Sequence, residues 1–161
     1  MTRLILVFCT LLLCTQCAKS QVTYLSPGLG ISWDLDGCFV FSPKISLGII
    51  DDGLFYNITL GRSTSSNKTL YPHYFAEAQC GQLTKPSKFR KLQVFYGGGV
   101  GLTFPTSGGD SSVSFRTSVF TGYIFFLNAT FTFREKIQTE LGGQIVAPVP
   151  IGGLGFGSDG E

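Results

Sequence analysis

Charge is scarce in this chain. Asp, Glu, Lys and Arg together make up 14% of its 161 residues, against roughly 25% in an average soluble domain. Long apolar runs are scarce as well. Beyond the first 20 residues, none approaches the ~20 residues that a membrane-crossing helix needs. A basic excess is missing too. Once Arg3 and Lys19 of the leader are set aside, ten basic and ten acidic residues balance. That balance argues against nucleic-acid binding, which draws on a strong positive field. There is one histidine, His73. One imidazole and scattered carboxylates supply too few ligands for a metal site. The length suits one domain, with no linker, internal repeat or heptad pattern.

The first 20 residues read as a secretory signal peptide. Arg3 is the basic n-region, residues 4–14 are the apolar h-region, and Ala18-Lys19-Ser20 sets small residues for cleavage before Gln21. Lipid attachment at Cys14 or Cys17 is disfavoured, because the preceding Leu13 and Gln16 are bulky. Cleavage leaves Cys38 and Cys80. Export makes a disulfide chemically open to them. Strand phase sets them on opposite faces, however, so they are expected to stay free.

What the chain has is glycine (21 residues), phenylalanine (15) and a positive mean hydropathy. These are organised with a period of two. Over residues 24–35, Leu25, Pro27, Leu29, Ile31, Trp33 and Leu35 alternate with Ser26, Gly28, Gly30, Ser32 and Asp34. Such alternation defines a strand with one apolar and one small, polar face. The pattern recurs over 38–50, 54–62, 71–80, 92–104 and 137–147. Residues 113–134 are too long for one strand and divide near Thr121-Gly122. Asp36-Gly37, Asp51-Asp52-Gly53 and Glu135-Lys136 supply turns. The weakest pattern is 71–80, where a short helix over 75–79 is the alternative. Pro148 ends the eighth strand, and the Gly/Pro-rich tail to Glu161 has no evident partner.

Eight amphipathic strands predict an all-β fold, an eight-stranded antiparallel up-and-down barrel, transmembrane, over residues 21–147, followed by a tail over 148–161. Closure removes edges that would otherwise aggregate, and in lipid it is compulsory. Runs of ten to twelve residues match an apolar band ~25 Å tall. The competing picture is a soluble lipocalin-like barrel that holds an apolar ligand. Its second face would meet water and should be rich in charge. Here that face is mostly Gly, Ser, Thr and Gln, with Asp34, Lys44, Glu77, Arg116, Arg134 and Glu140 scattered over it. Small residues fill a narrow lumen. Balanced charges within it can pair, so Lys44, Glu77, Arg116, Arg134 and Glu140 are the candidate lumen network. Trp33, Tyr56, Tyr74, Tyr96 and Tyr123 share the apolar phase near strand ends, as interfacial girdles do.

The leader ending at Ser20 and the alternating Gly-rich strands resemble small outer-membrane β-barrel proteins of Gram-negative bacteria. Ser26-Pro27-Gly28-Leu29-Gly30 and Ser42-Pro43-Lys44-Ile45-Ser46-Leu47-Gly48 are similar in style to uncharacterised Bacteroidota-type barrels. The resemblance is architectural and covers most of the mature chain. Many such barrels end in an aromatic residue, whereas this sequence has Phe156 five residues before Glu161. The resemblance implies Sec-type export to the outer membrane, with a periplasmic or secreted location as the alternative. It also implies contact with membrane lipid, with lipopolysaccharide a candidate through the basic segment Lys85, Lys88, Arg90 and Lys91.

The remaining motifs are weak. Gly97-Gly98-Gly99-Val100-Gly101 lacks the Lys-Ser/Thr of a phosphate loop and is followed by no helix, so no cofactor is expected. His73 with Glu77 and a serine would suit a lipid-modifying enzyme, but no spacing marks them as a set. The basic segment Lys85, Lys88, Arg90 and Lys91 reads first as a solvated loop and second as a contact for lipid phosphates. Asn57, Asn67 and Asn128 stand in glycosylation sequons, two of them inside strands, where chance is the simpler explanation. The expected function is therefore a non-enzymatic outer-membrane barrel with a side-chain-filled lumen and a structural or binding role. Its contact surfaces would be the loops 63–70 and 105–112.

Overall fold

A computed structural model describes residues 22–65, 72–84, 94–106, 113–135 and 137–152. The leader, the basic segment 85–93 and the tail beyond residue 152 lie outside them. Eight strands follow one another in up-and-down order: β1 (Val22–Asp34), β2 (Phe39–Asp51), β3 (Leu54–Ser65), β4 (His73–Leu83), β5 (Phe95–Pro105), β6 (Ser114–Gly122), β7 (Phe125–Phe133) and β8 (Ile137–Val146). Every neighbouring pair is antiparallel. β1 pairs with both β2 and β8, so the sheet closes into a barrel.

The alternation in the sequence maps directly onto the two faces. Leu29, Ile31, Trp33, Ile45 and Leu47 all face outward, with relative exposures between 39% and 55%. Their neighbours Ser26, Ser32, Ser42 and Ser46 are buried inside. Residues 75–79 are strand, not helix, because β4 is paired along its length on both sides. β3 runs on to Ser65, so Ser63 faces the lumen as part of the wall and is not loop. The break in 113–134 falls at Tyr123-Ile124, one residue beyond the glycine expected to mark it. The expected Asp52-Gly53 turn is present, with φ of 43° and 78°. Both central residues are left-handed, as a type I′ hairpin requires. Gly53→Ala should therefore cost about 1 kcal/mol, the penalty for a Cβ in that region, readable as a shift in the urea unfolding midpoint.

The tail expectation needs correction. A short β9 (Val149–Gly152) follows Pro148 and pairs with Thr23–Leu25 of β1. β8 holds the other half of β1, from Gly28 to Asp34. The β1 edge is thus completed by two segments, with a break at Ala147-Pro148. There Ala147 N donates to Pro27 O at 3.0 Å. Since N–H and C=O of one strand residue point to the same side, the missing donor of Pro27 also faces this break. Pro43 lies opposite Leu29 in the β1–β2 register. By the same alternation it turns towards β3, and the β2–β3 pairing skips Ser42 and Pro43. Prolines inside strands are tolerated only where the ladder is absent, and both meet that condition.

Cys38 and Cys80 are free thiols. Cys38 sits in the β1–β2 turn and Cys80 faces outward towards the other end of the barrel. The junctions β3–β4 and β5–β6 leave from the same end as Cys38. They contain the two proposed contact loops, most of whose residues lie outside the described set.

Candidate functional site

The lumen is layered. At the end where β1 begins, four rings cluster inside the barrel: Phe55, Phe95, Phe120 and Phe126. Their centroids lie 5.5 Å (Phe55–Phe95), 5.7 Å (Phe55–Phe120), 6.1 Å (Phe120–Phe126) and 6.3 Å (Phe95–Phe126) apart. Ile50 and Val146 pack on them. Each ring lies within two residues of the terminus of its strand at that end, where its phase contradicts the polar face locally. Period-two counting registers these phenylalanines as exceptions. Their shared position, each beside a turn at one end, is the signal that identifies them as a cluster.

Below the rings lies a charged middle. Arg116 Nε is 3.2 Å from Glu77 Oε2, and both side chains are almost fully buried. Glu77 Oε1 accepts from Gln79 Nε2 at 2.9 Å and from the Ser118 hydroxyl. The Arg116 guanidinium also lies over the Phe75 ring, 4.3 Å from its centroid, a cation–π arrangement that desolvation strengthens. Lys44 Nζ donates to Gln144 Oε1. Lys44 lines the same small cavity as Glu77, Arg116 and Gln144. Glu140 accepts from Ser32 Oγ at 3.3 Å.

Of the five expected network residues, Glu77 and Arg116 pair directly and share one small cavity with Lys44, whereas Glu140 is buried against Ser32. Arg134 lies at the far end instead, with Nη2 3.4 Å from His73 Nδ1. Asp34 holds the β1–β2 turn, accepting from Cys38 N at 2.7 Å. The sequence reading missed Gln79, Gln144, Ser118 and Phe75 as partners. Their types are unremarkable, and only the stagger between strands sets them beside the charges. At the far end the lining is hydroxyl-rich, with Ser42 and Ser63 2.9 Å apart. Lys85, Lys88, Arg90 and Lys91 lie outside the described residues.

The glycine run of β5 makes room within this interior. A Cβ on Gly97 would reach the Phe120 ring at 3.0 Å, and one on Gly99 would meet the Glu77 carboxylate. The glycines allow this close approach of neighbouring groups. Of the sequon asparagines, Asn57 and Asn128 face inward. Asn57 donates to Gln79 Oε1 at 3.0 Å. Among the described residues, no three His, Cys, Asp or Glu side chains stand together as metal ligands.

Outside, aromatic residues ring both ends. Tyr56, Tyr96, Tyr123 and Phe125 are exposed at the end where β1 begins, and Trp33, Phe39, Tyr74, Phe104, Phe115 and Phe133 at the other. Between them the wall is aliphatic, as with Leu60, Val100, Leu102, Val119, Leu127 and Leu141. Tyr96 and Phe104 are eight residues apart on β5. At ~3.4 Å per residue and a tilt of about 40°, that separates the rings by ~20 Å.

The fold and this partition define a closed eight-stranded antiparallel barrel, apolar outside and polar within. No protein-family model matches the chain, and no curated protein does. Two solved structures are similar in outline. The crystal structure of Neisserial surface protein A matches with 16% identity over 79% of this chain and 96% of its own, at a TM-score of 0.49. A structure described as a de novo design of transmembrane β-barrels matches with 11% identity over 77% of this chain and 95% of its own, at a TM-score of 0.47.

Proposed function

We propose that this chain is an integral outer-membrane β-barrel with a structural or binding role. The observation that carries this reading is the outer wall: an aliphatic belt bounded by two aromatic rings. Soluble monomers rarely expose contiguous apolar patches beyond a few hundred Å², whereas lipid-facing barrel walls have this composition and order. Membrane lipid, with lipopolysaccharide in the outer leaflet, is the partner that such a surface implies. The reading extends to a lumen occupied by side chains and not a general porin, supported by the Phe cluster and the buried Glu77–Arg116 pair that project into it. A lipid-modifying enzyme centred on His73 has less support. The carboxylate expected beside it, Glu77, is instead held by Arg116, and His73 Nδ1 faces the guanidinium of Arg134.

Cell fractionation with heat-modifiable gel migration tests the proposal. The protein should sediment with outer membranes and migrate differently before and after boiling. Recovery in the aqueous periplasmic fraction would overturn it and favour the soluble, ligand-carrying barrel.

A further inference from the structure

A cavity of about 80 Å³ lies between the aromatic rings and the charged middle. Its walls differ in chemistry. Phe55, Phe120, Phe126 and Val146 line one side, and Lys44, Asn57 and Gln144 the other. Its lining also runs out to Tyr123 and Pro148, both exposed at the barrel end. Pro148 is the point at which the ladder from β8 to β1 is interrupted, so the mouth sits beside a break in the wall.

The polar side is unsatisfied in a particular way. Lys44 Nζ carries three N–H groups, of which Gln144 Oε1 takes one. Asn57 Oδ1 is buried and has no hydrogen-bond partner among the described residues. A hydroxyl both accepts and donates, so it can answer an ammonium and an amide oxygen together. A carboxylate accepts only, and it would add charge to a lumen whose Lys44, Arg116 and Arg134 already balance Asp34, Glu77 and Glu140. The volume is about half of the roughly 150 Å³ that holds benzene in an engineered cavity. It accommodates a head and its first carbons, with the rest of the chain lying along the rings towards the mouth.

We propose that this cavity is a binding site for a small uncharged amphiphile, a short aliphatic chain with a hydroxyl head, held head-inward against Lys44 and Asn57. The proposal deepens the binding role put forward above and names its ligand class.

The test uses 1-hexanol as probe and the protein folded in perdeuterated micelles. Nuclear Overhauser contacts are read from hexanol methylenes to the ring protons of Phe55 and Phe120, which face away from detergent. The contacts should saturate with hexanol. Val146→Phe, which fills the cavity, should abolish them. If that variant does not fold, Ser26→Leu fills the cavity from the neighbouring strand β1. Asn57→Leu should weaken hexanol about tenfold, the loss expected for one buried hydrogen bond. Contacts that rise linearly without saturation, persist in the filled variant, or appear equally with hexanoate would overturn the site. Heat-modifiable migration of the same samples reports the folded barrel. Failure of binding in a folded, membrane-inserted protein therefore refutes the site and leaves the membrane reading standing.

Discussion

Glu77→Leu should destabilise the folded barrel by about 3–5 kcal/mol, the cost of stranding one partner of a buried ion pair. Arg116 would lose its partner at 3.2 Å while remaining almost wholly enclosed, and Phe75 alone would face its guanidinium. The Ser118 hydroxyl and the Gln79 amide would lose their acceptor as well. Urea unfolding in lipid vesicles, followed by the ratio of unboiled gel bands, measures the change. The double variant Glu77→Leu with Arg116→Met should recover most of the loss, since a well-packed apolar pair often matches a buried ion pair. A single-variant cost below about 1 kcal/mol would mean that water reaches Arg116, and the packed middle of the lumen would be disproved.

Val100→Arg should cost about 2–4 kcal/mol in the same vesicles, the price of a guanidinium at the bilayer midplane on a barrel wall. Val100 lies midway between Tyr96 and Phe104 on β5 and is 53% exposed on the outer face. Its neighbours in register, Ala78 and Thr117, are small and offer the arginine no counter-charge. Val113→Arg, beside the start of β6 at the barrel end, should cost about 0–1 kcal/mol, because the penalty falls off near the interface. Both positions are exposed side chains on the same barrel, so the contrast reads depth in lipid and not burial in protein. Equal, small effects at both would put the outer wall in water.

Much of this structure is legible in the residues. The two-residue period fixes which side chain of each strand turns inward, so Lys44, Glu77, Arg116 and Glu140 could be assigned to the lumen before any pairing was known. The identity of their partners could not. Glu77 meets Arg116 because the β4–β5 and β5–β6 registers set both opposite Gly101, and that stagger is a property of closure, not of local pattern. The aromatic seal was illegible for the opposite reason. Phe55 violates its strand's alternation, and one violation looks like noise until Phe95, Phe120 and Phe126 arrive at the same height. β9 was hidden because four residues containing a proline carry no usable period, and only the unfinished edge of β1 selects them.

That edge carries a further consequence for how the barrel counts its own closure. A sheet wrapped into a tube can in principle join its first and last strands at several offsets. A slip of one residue would turn polar side chains to the outer face, but a slip of two preserves every face. Hydrophobic patterning is blind to the second error. Pro27 is not. Its missing donor falls in the gap between the two paired segments of the β1 edge. Displaced by two positions along the junction, it would lie within one of those segments and cost the ladder a hydrogen bond. This imino residue therefore acts as an index mark on the seam. It sets the offset, and with it the tilt and bore of the tube, at the point where amphipathicity alone would leave the choice open.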